Sequence, residues 1–305
     1  MRAACLQICT TDEVDANLEV VSHLLKQAAD EQARLAVLPE NFAYMNPDNA
    51  AKRRVASEEI PNRVLPFLAE TAARHAMYII GGSVLLPGAG GKLRNACPVY
   101  GPDGSCLAVY DKMHLFDIDL PGESYRESDL IEAGTRPVRV EVDHWQVGLS
   151  ICYDLRFPEL YRRYAVDGCQ LLTVPSAFTV PTGRAHWEVL LRARAIENQA
   201  YVLAPAQIGA HPGGRRTWGH SLIIDPWGEI VARSEDHGRS EGELVVADIE
   251  MERVEQVRQR VPALAHRRLE FRGASVRSYR ISCQCSVAGS WRSRYRSPSS
   301  PRTSK

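Results

Sequence analysis

Short apolar runs alternate with helical repeats along most of the chain. Residues 2–9 read as a strand, and Leu18, Val21, Leu24, Leu25 and Ala28 then recur at helical spacing across residues 17–32. A strand over 35–38 follows, and a strand, helix, strand opening of this length predicts parallel pairing with a crossover helix. Residues 41–57 show no period and are expected to be irregular. A helix is predicted over 61–75, a strand over 77–83, and a hairpin from 95–100 and 105–110 around Gly101-Pro102-Asp103-Gly104. A long polar loop is expected over 113–128. Beyond it the pattern predicts a strand ending at Cys152, a helix over 157–166, a strand over 170–176 and a helix over 185–198. A strand at 201–205, a hairpin at 221–225 and 229–234, a strand at 242–249 and a helix at 251–260 complete it. Strands alternating with helices and broken by hairpins define an α/β class with mixed sheets.

Three of these runs end on reactive side chains. Leu35-Ala36-Val37-Leu38-Pro39 leads to Glu40, the hairpin delivers Lys112, and Val147-Gly148-Leu149-Ser150-Ile151 ends at Cys152. Open α/β sheets collect ligand sites at the carboxyl ends of their strands, which brings the three within potential reach of one another. A glutamate beside a thiol can take its proton, and a lysine ammonium with the Tyr153 N–H can stabilise the oxyanion formed on a carbonyl. This is acyl-transfer machinery. The turn after Cys152, with Pro158 opening the next helix, is expected to lower the thiol pKa below its ordinary value of about 8.5. Two readings stay open: a small buried cysteine without chemistry, and a Cys-His pair drawing on His114, His186 or His220.

Composition narrows the field. With 45% hydrophobic residues in 305 the chain can bury a large core, and no run approaches the roughly 20 apolar residues of a membrane span. Eight cysteines without CxxC spacing and no clustered histidines argue against zinc, and no metal or other cofactor is expected. Reduced thiols and no visible targeting segment predict a cytoplasmic protein. The 37 basic residues balance 37 acidic ones, but seven Arg and one Lys fall within 271–305, where there is no acid. The remainder carries 29 basic against 37 acidic residues, so it is not expected to bind nucleic acid. Two units are predicted: a folded domain over 1–270 and a basic Ser/Arg-rich tail over 271–305, expected to be disordered.

The segments Leu38-Pro39-Glu40-Asn41, Tyr110-Asp111-Lys112-Met113-His114-Leu115-Phe116-Asp117 and Ile151-Cys152-Tyr153-Asp154-Leu155-Arg156-Phe157-Pro158-Glu159-Leu160 closely resemble the Glu, Lys and Cys motifs of the nitrilase (carbon-nitrogen hydrolase) superfamily. Pro175-Ser176-Ala177-Phe178, the segment 186–197, Trp218-Gly219-His220-Ser221 and Asp225-Pro226-Trp227-Gly228 extend the resemblance over about residues 1–268. It implies a four-layer α-β-β-α sandwich with two mixed β-sheets that pairs into a homodimer. Glu40 would be the general base, Lys112 the oxyanion stabiliser, Cys152 the nucleophile and Glu127 a further active-site acid, with Glu123 its competitor. Ser176 and Asp225 lean towards the branch of deaminated glutathione amidases, which release 2-oxoglutarate and cysteinylglycine. The alternatives are an ω-amidase of α-ketoglutaramate, or a hydrolase of a carbamoyl amide or nitrile. A non-enzymatic binding protein using its tail is the remaining reading. A small-molecule amide carrying a carboxylate needs a cation, for which Arg156 is the candidate, its other use being an ion pair with Asp154 or Glu159. Tyr153, Phe178 and Thr179 complete the expected substrate-binding set.

Overall fold

Alternation along the central strands divides the interior into two cores. In the strand Arg2–Gln7, Ala3 and Cys5 belong to one core and Ala4 and Leu6 to the other. Leu35 and Val37 divide from Ala36 in the same way on Leu35–Val37. Successive strand side chains point to opposite faces, so this sheet is covered on both sides. The computed structural model describes residues 1–120, 123–235, 242–269 and the backbone of Arg277–Tyr279.

One face packs against Val21, Leu24 and Leu25 of the helix Val14–Asp30 and Leu65, Leu68 and Ala72 of the helix Leu65–His75. The other meets a second sheet through Val147, Leu149, Leu171 and Leu203. That sheet is covered in turn by Leu160, Tyr161 and Tyr164 of the helix Pro158–Val166, and by Trp187, Leu191 and Ala195 of the helix Val180–Asn198. The layers therefore run α-β-β-α, as expected.

The first sheet orders its strands Glu243–Asp248, Arg2–Gln7, Leu35–Val37, Tyr78–Ile80, Leu93–Tyr100 and Val84–Pro87, with Cys106–Asp111 also paired to Leu93–Tyr100. The second runs Ile230–Arg233, Leu222–Ile224, Tyr201–Ala204, Leu171–Thr173, Trp145–Leu149, Val138–Val142 and Arg277–Tyr279. Each has a central parallel trio flanked by antiparallel strands. The carboxyl ends of the two trios meet, because Ile8 bridges to Gln207, whose amide donates to the Glu40 carbonyl at 3.0 Å.

Two expected irregular stretches carry structure. Asn49–Glu59 is a helix, started by Asp48, whose carboxylate accepts from the Ala50 and Ala51 N–H groups. It buries only Val55 and Ala56, too few for an apolar period to show. The loop after Lys112 contains the hairpin Asp117–Leu120 and Glu123–Arg126. In the tail, Arg277–Tyr279 pairs in parallel with Val138–Val142. The remaining residues of 271–305, for which disorder was expected, lie outside the described residues, as do Glu270 and the Glu123 side chain.

Candidate active site

The strand Trp145–Leu149 ends two residues before an elbow. Cys152 adopts φ +50°, a left-handed conformation uncommon for a side chain of this kind, and its N–H donates to the Pro175 carbonyl at 2.8 Å. Strain of this kind persists only where surroundings enforce it, and here Asp154 does so. Its fully buried carboxylate accepts from the Ile151 N–H at 2.8 Å, the Tyr110 hydroxyl at 2.7 Å, and the His114 N–H and ring Nδ1 at 3.0 and 2.7 Å. Tyr110 and His114 flank Lys112, so one carboxylate ties the cysteine elbow to the lysine segment. Gly148 beneath the elbow leaves room for Tyr164, whose ring would lie 2.5 Å from an added Cβ.

The three reactive side chains converge, and a fourth joins them. Lys112, 2% exposed, donates from Nζ to Glu40 Oε1 at 2.8 Å and to both Glu127 oxygens at 3.1 and 2.9 Å. Asn95 spans the same two carboxylates, donating to Glu40 at 3.0 Å and Glu127 at 3.2 Å, and Glu127 also accepts the Phe116 N–H at 2.7 Å. Gly82 supports the Glu40 turn from below. Its φ is +53°, and an added Cβ would lie 2.0 Å from the Pro39 carbonyl oxygen.

Burial pushes the Glu40 carboxyl up, but the charge and hydrogen bond of Lys112 and the interaction with the Cys152 thiol prevail, holding it below the ordinary carboxylate value. Burial likewise opposes the Lys112 charge. The Glu127 and Glu40 carboxylates outweigh it and keep the ammonium charged well above the ordinary lysine range. For Cys152 the expectation of a lowered pKa is corrected. Burial and the Glu40 carboxylate push the thiol well up, against Lys112 and a backbone hydrogen bond from Ala177. The short turn Cys152–Arg156 is too weak a dipole to offset desolvation, so a neutral thiol rests beside an ionised carboxylate. Such a pair attacks by transferring its proton as the sulfur–carbon bond forms.

These groups lie on the wall of a cavity of about 710 Å³, a size suited to a small molecule. The carbon-nitrogen hydrolase family profile matches residues 2–259. The chain belongs to the carbon-nitrogen hydrolase family. It is 44% identical over 270 residues to a deaminated glutathione amidase of Synechocystis sp., covering 87% of this chain and 97% of that protein. It is 40% identical over 268 residues to an omega-amidase of Danio rerio, covering 88% and 94%. The crystal structure of the C. elegans NitFhit protein superposes with a TM-score of 0.82 at 35% identity, spanning 88% of this chain and 65% of that longer one.

In this hydrolase the expected substrate-binding residues divide. Tyr153 and Phe178 line the cavity. Arg156 and Thr179 are not among its lining residues. The Arg156 guanidinium lies over the Tyr153 and Phe178 rings at 5.6 and 5.4 Å and contacts His186 at 3.3 Å. Asp154 is committed to Tyr110, His114 and Ile151 rather than to Arg156. Thr179 is buried at the start of the helix Val180–Asn198, its hydroxyl 2.9 Å from that of Thr182. The cations on the lining besides Lys112 are Lys52, Arg126 and Arg215.

The Cys-His alternative also meets a different geometry. His114 stacks on Phe157 at 3.7 Å and serves Asp154, His186 contacts Arg156, and His220 stacks on Trp218 at 4.3 Å. The histidine on the cavity wall is His211, absent from the expected set. Its Nδ1–H donates to the Thr10 carbonyl at 2.8 Å and its Nε2 accepts from the Thr217 hydroxyl at 2.7 Å, so the ring is held neutral by burial. Asn95 was missed as well. Its only sequence signal is a polar residue inside an apolar strand, Leu93–Tyr100, where burial demands a partner.

Proposed function

We propose that this hydrolase cleaves the amide of deaminated glutathione, releasing cysteinylglycine and then 2-oxoglutarate. The observation that carries the reading is the meeting of Cys152 with a carboxylate held by a buried ammonium, Glu40 on Lys112, at the wall of a small-molecule cavity. Cys152 Sγ bonds to the amide carbon as Glu40 takes the thiol proton, and Lys112 with the Tyr153 N–H faces the oxyanion. Glu40 passes the proton to the departing amine as the C–N bond breaks, leaving a thioester. A water then attacks the thioester carbon while Glu40 takes its proton, and the returned thiol frees the acid. Glu127 and Asn95 hold Lys112 and Glu40 in register throughout.

Hydrolysis of α-ketoglutaramate is the second reading, favoured by the 40% identity to the fish omega-amidase. Release of 2-oxoglutarate from each amide, measured with wild type and Cys152→Ala, decides between them. Preference for deaminated glutathione supports the first reading, preference for the smaller amide supports the second, and activity surviving in Cys152→Ala removes both.

The active unit is assigned to residues 1–270, with 271–305 an appendage, since the family match ends at residue 259. We place the protein in the cytoplasm, in keeping with unbridged thiols at Cys5, Cys9, Cys97, Cys152 and Cys169. No helix among the described residues is long and apolar enough to cross a membrane. Homodimerisation fits an outward apolar face formed by Val189, Ile196 and Trp227, with Ile196 packed beside Gly228. Light scattering of wild type and Ile196→Asp tests it, a monomer in the variant being expected.

A further inference from the structure

The cavity is unevenly charged. Its lining carries Lys52, Lys112, Arg126 and Arg215 against Glu40 and Glu127, an excess of two positive charges. Lys112 is consumed by the two carboxylates, and Arg126 is paired with both oxygens of Asp119. Lys52 and Arg215 have no carboxylate partner among the described residues, and each feels the charge of the other. Lys52 donates only weakly, to Asn49 at 3.3 Å.

Arg215 is the more constrained of the two. Its Nη2 donates to the Ala177 carbonyl at 2.8 Å and its guanidinium lies over the Tyr125 ring at 5.6 Å, which fixes the plane. Its Nε–H is buried without an acceptor. Ala177 itself supplies a backbone hydrogen bond to the Cys152 sulfur. A single residue thus separates the guanidinium's anchor from the nucleophile. A substrate acylating Cys152 brings the far end of its acyl chain into this neighbourhood. A guanidinium on the cavity wall, held by Ala177 and Tyr125 and without a carboxylate partner among the described residues, suits a carboxylate, which can accept two parallel hydrogen bonds.

We propose that Arg215, with Lys52 beside it, holds the carboxylate of the acyl portion of the substrate and so selects amides of dicarboxylic acids. This rests on the amidase reading and names a residue that Arg156 was expected to be. The neighbouring positive charges also offset the carboxylates of Glu40 and Glu127, so an anionic substrate enters without net repulsion.

The test pairs α-ketoglutaramate with 4-oxopentanamide, in which a methyl group replaces the carboxylate. Both lose ammonia, so the acyl carboxylate is the only charge that differs. In Arg215→Met, KM for α-ketoglutaramate is expected to rise about 30- to 100-fold, with kcat/KM for 4-oxopentanamide changed by less than about threefold. Arg215→Lys should recover part of the loss, because charge remains and the fork is gone. Lys52→Met should act in the same direction by about tenfold. An equal fall for both amides would show a merely structural role and overturn the proposal, as would no fall for either.

A second readout does not need turnover. In wild type, 2-oxoglutarate should slow alkylation of Cys152 by iodoacetamide, and in Arg215→Met it should not. Protection without hydrolysis of either amide would remove the amidase reading and leave the anion subsite standing. Equal protection in both proteins would remove the subsite.

Discussion

Two parts of the cavity treat charge in opposite ways. Around Lys112 every charge has a partner: one ammonium faces two carboxylates, and Asn95 donates to both. Around Arg215 and Lys52 positive charge is left without a carboxylate, and a guanidinium N–H is buried with no acceptor. A closed set of charges fixes geometry and proton positions, which a catalytic step needs. An open set costs stability in the empty protein and is satisfied by a ligand, which recognition needs. The contrast separates groups whose loss should lower kcat from groups whose loss should raise KM.

The sharpest way to break the closed set is to remove the nucleophile. Cys152→Ala should lower kcat by at least about 10⁴-fold while the unfolding midpoint stays near wild type, because a small buried side chain is replaced by a slightly smaller one. Steady-state kinetics with thermal unfolding checks both. Lys112→Met should be worse for the fold than for any single contact. It strands Glu40 as a buried carboxylate and Glu127 as a part-buried one, costing about 3–5 kcal/mol of stability by denaturant unfolding, with kcat lower by about 10³-fold. A variant as stable as wild type would mean that the two carboxylates take up protons freely.

Acidity probes the same set without mutation. Glu40 has a folded pKa below that of the unfolded chain, so its contribution is complete above the ordinary carboxylate pKa of about 4.3 and lost as pH falls through the folded value. The acid limb of kcat/KM and of Cys152 alkylation should therefore have its midpoint below about 4.3. A midpoint near 6 would contradict an ion-paired Glu40. Smaller still, Asn95→Ala should lower kcat about tenfold with KM little changed, since the carboxylates keep Lys112 but lose their shared donor. Gly82→Ala should cost about 3 kcal/mol of stability, because both the positive φ and the Pro39 carbonyl oppose a Cβ. Truncation after residue 270 should change activity least of all.

Much of this arrangement was legible in the sequence. Period-two and helical patterns located most strands and helices, since burial on one or both faces imposes them directly. The helix Asn49–Glu59 escaped because it covers the cavity with only Val55 and Ala56 buried, and Lys52 went unnoticed with it. Glu40, Lys112 and Cys152 stood out because each ends an apolar run, and strand ends are where parallel sheets expose side chains. Asn95 did not, since within a strand nothing in the local pattern reveals that its amide meets two carboxylates.

The amino-acid sequence by itself determined the α/β class, the strand-end positions of the three reactive side chains and the resemblance to carbon-nitrogen hydrolases. Those features follow from local periodicity and from contiguous motifs. Only the tertiary structure decided that the Cys152 thiol is raised rather than lowered, that Arg156 lies over aromatic rings, and that Arg215 lies on the cavity wall. The physical reason is that desolvation and ion pairing depend on which distant segments share a buried volume, and spacing along the chain does not encode that volume.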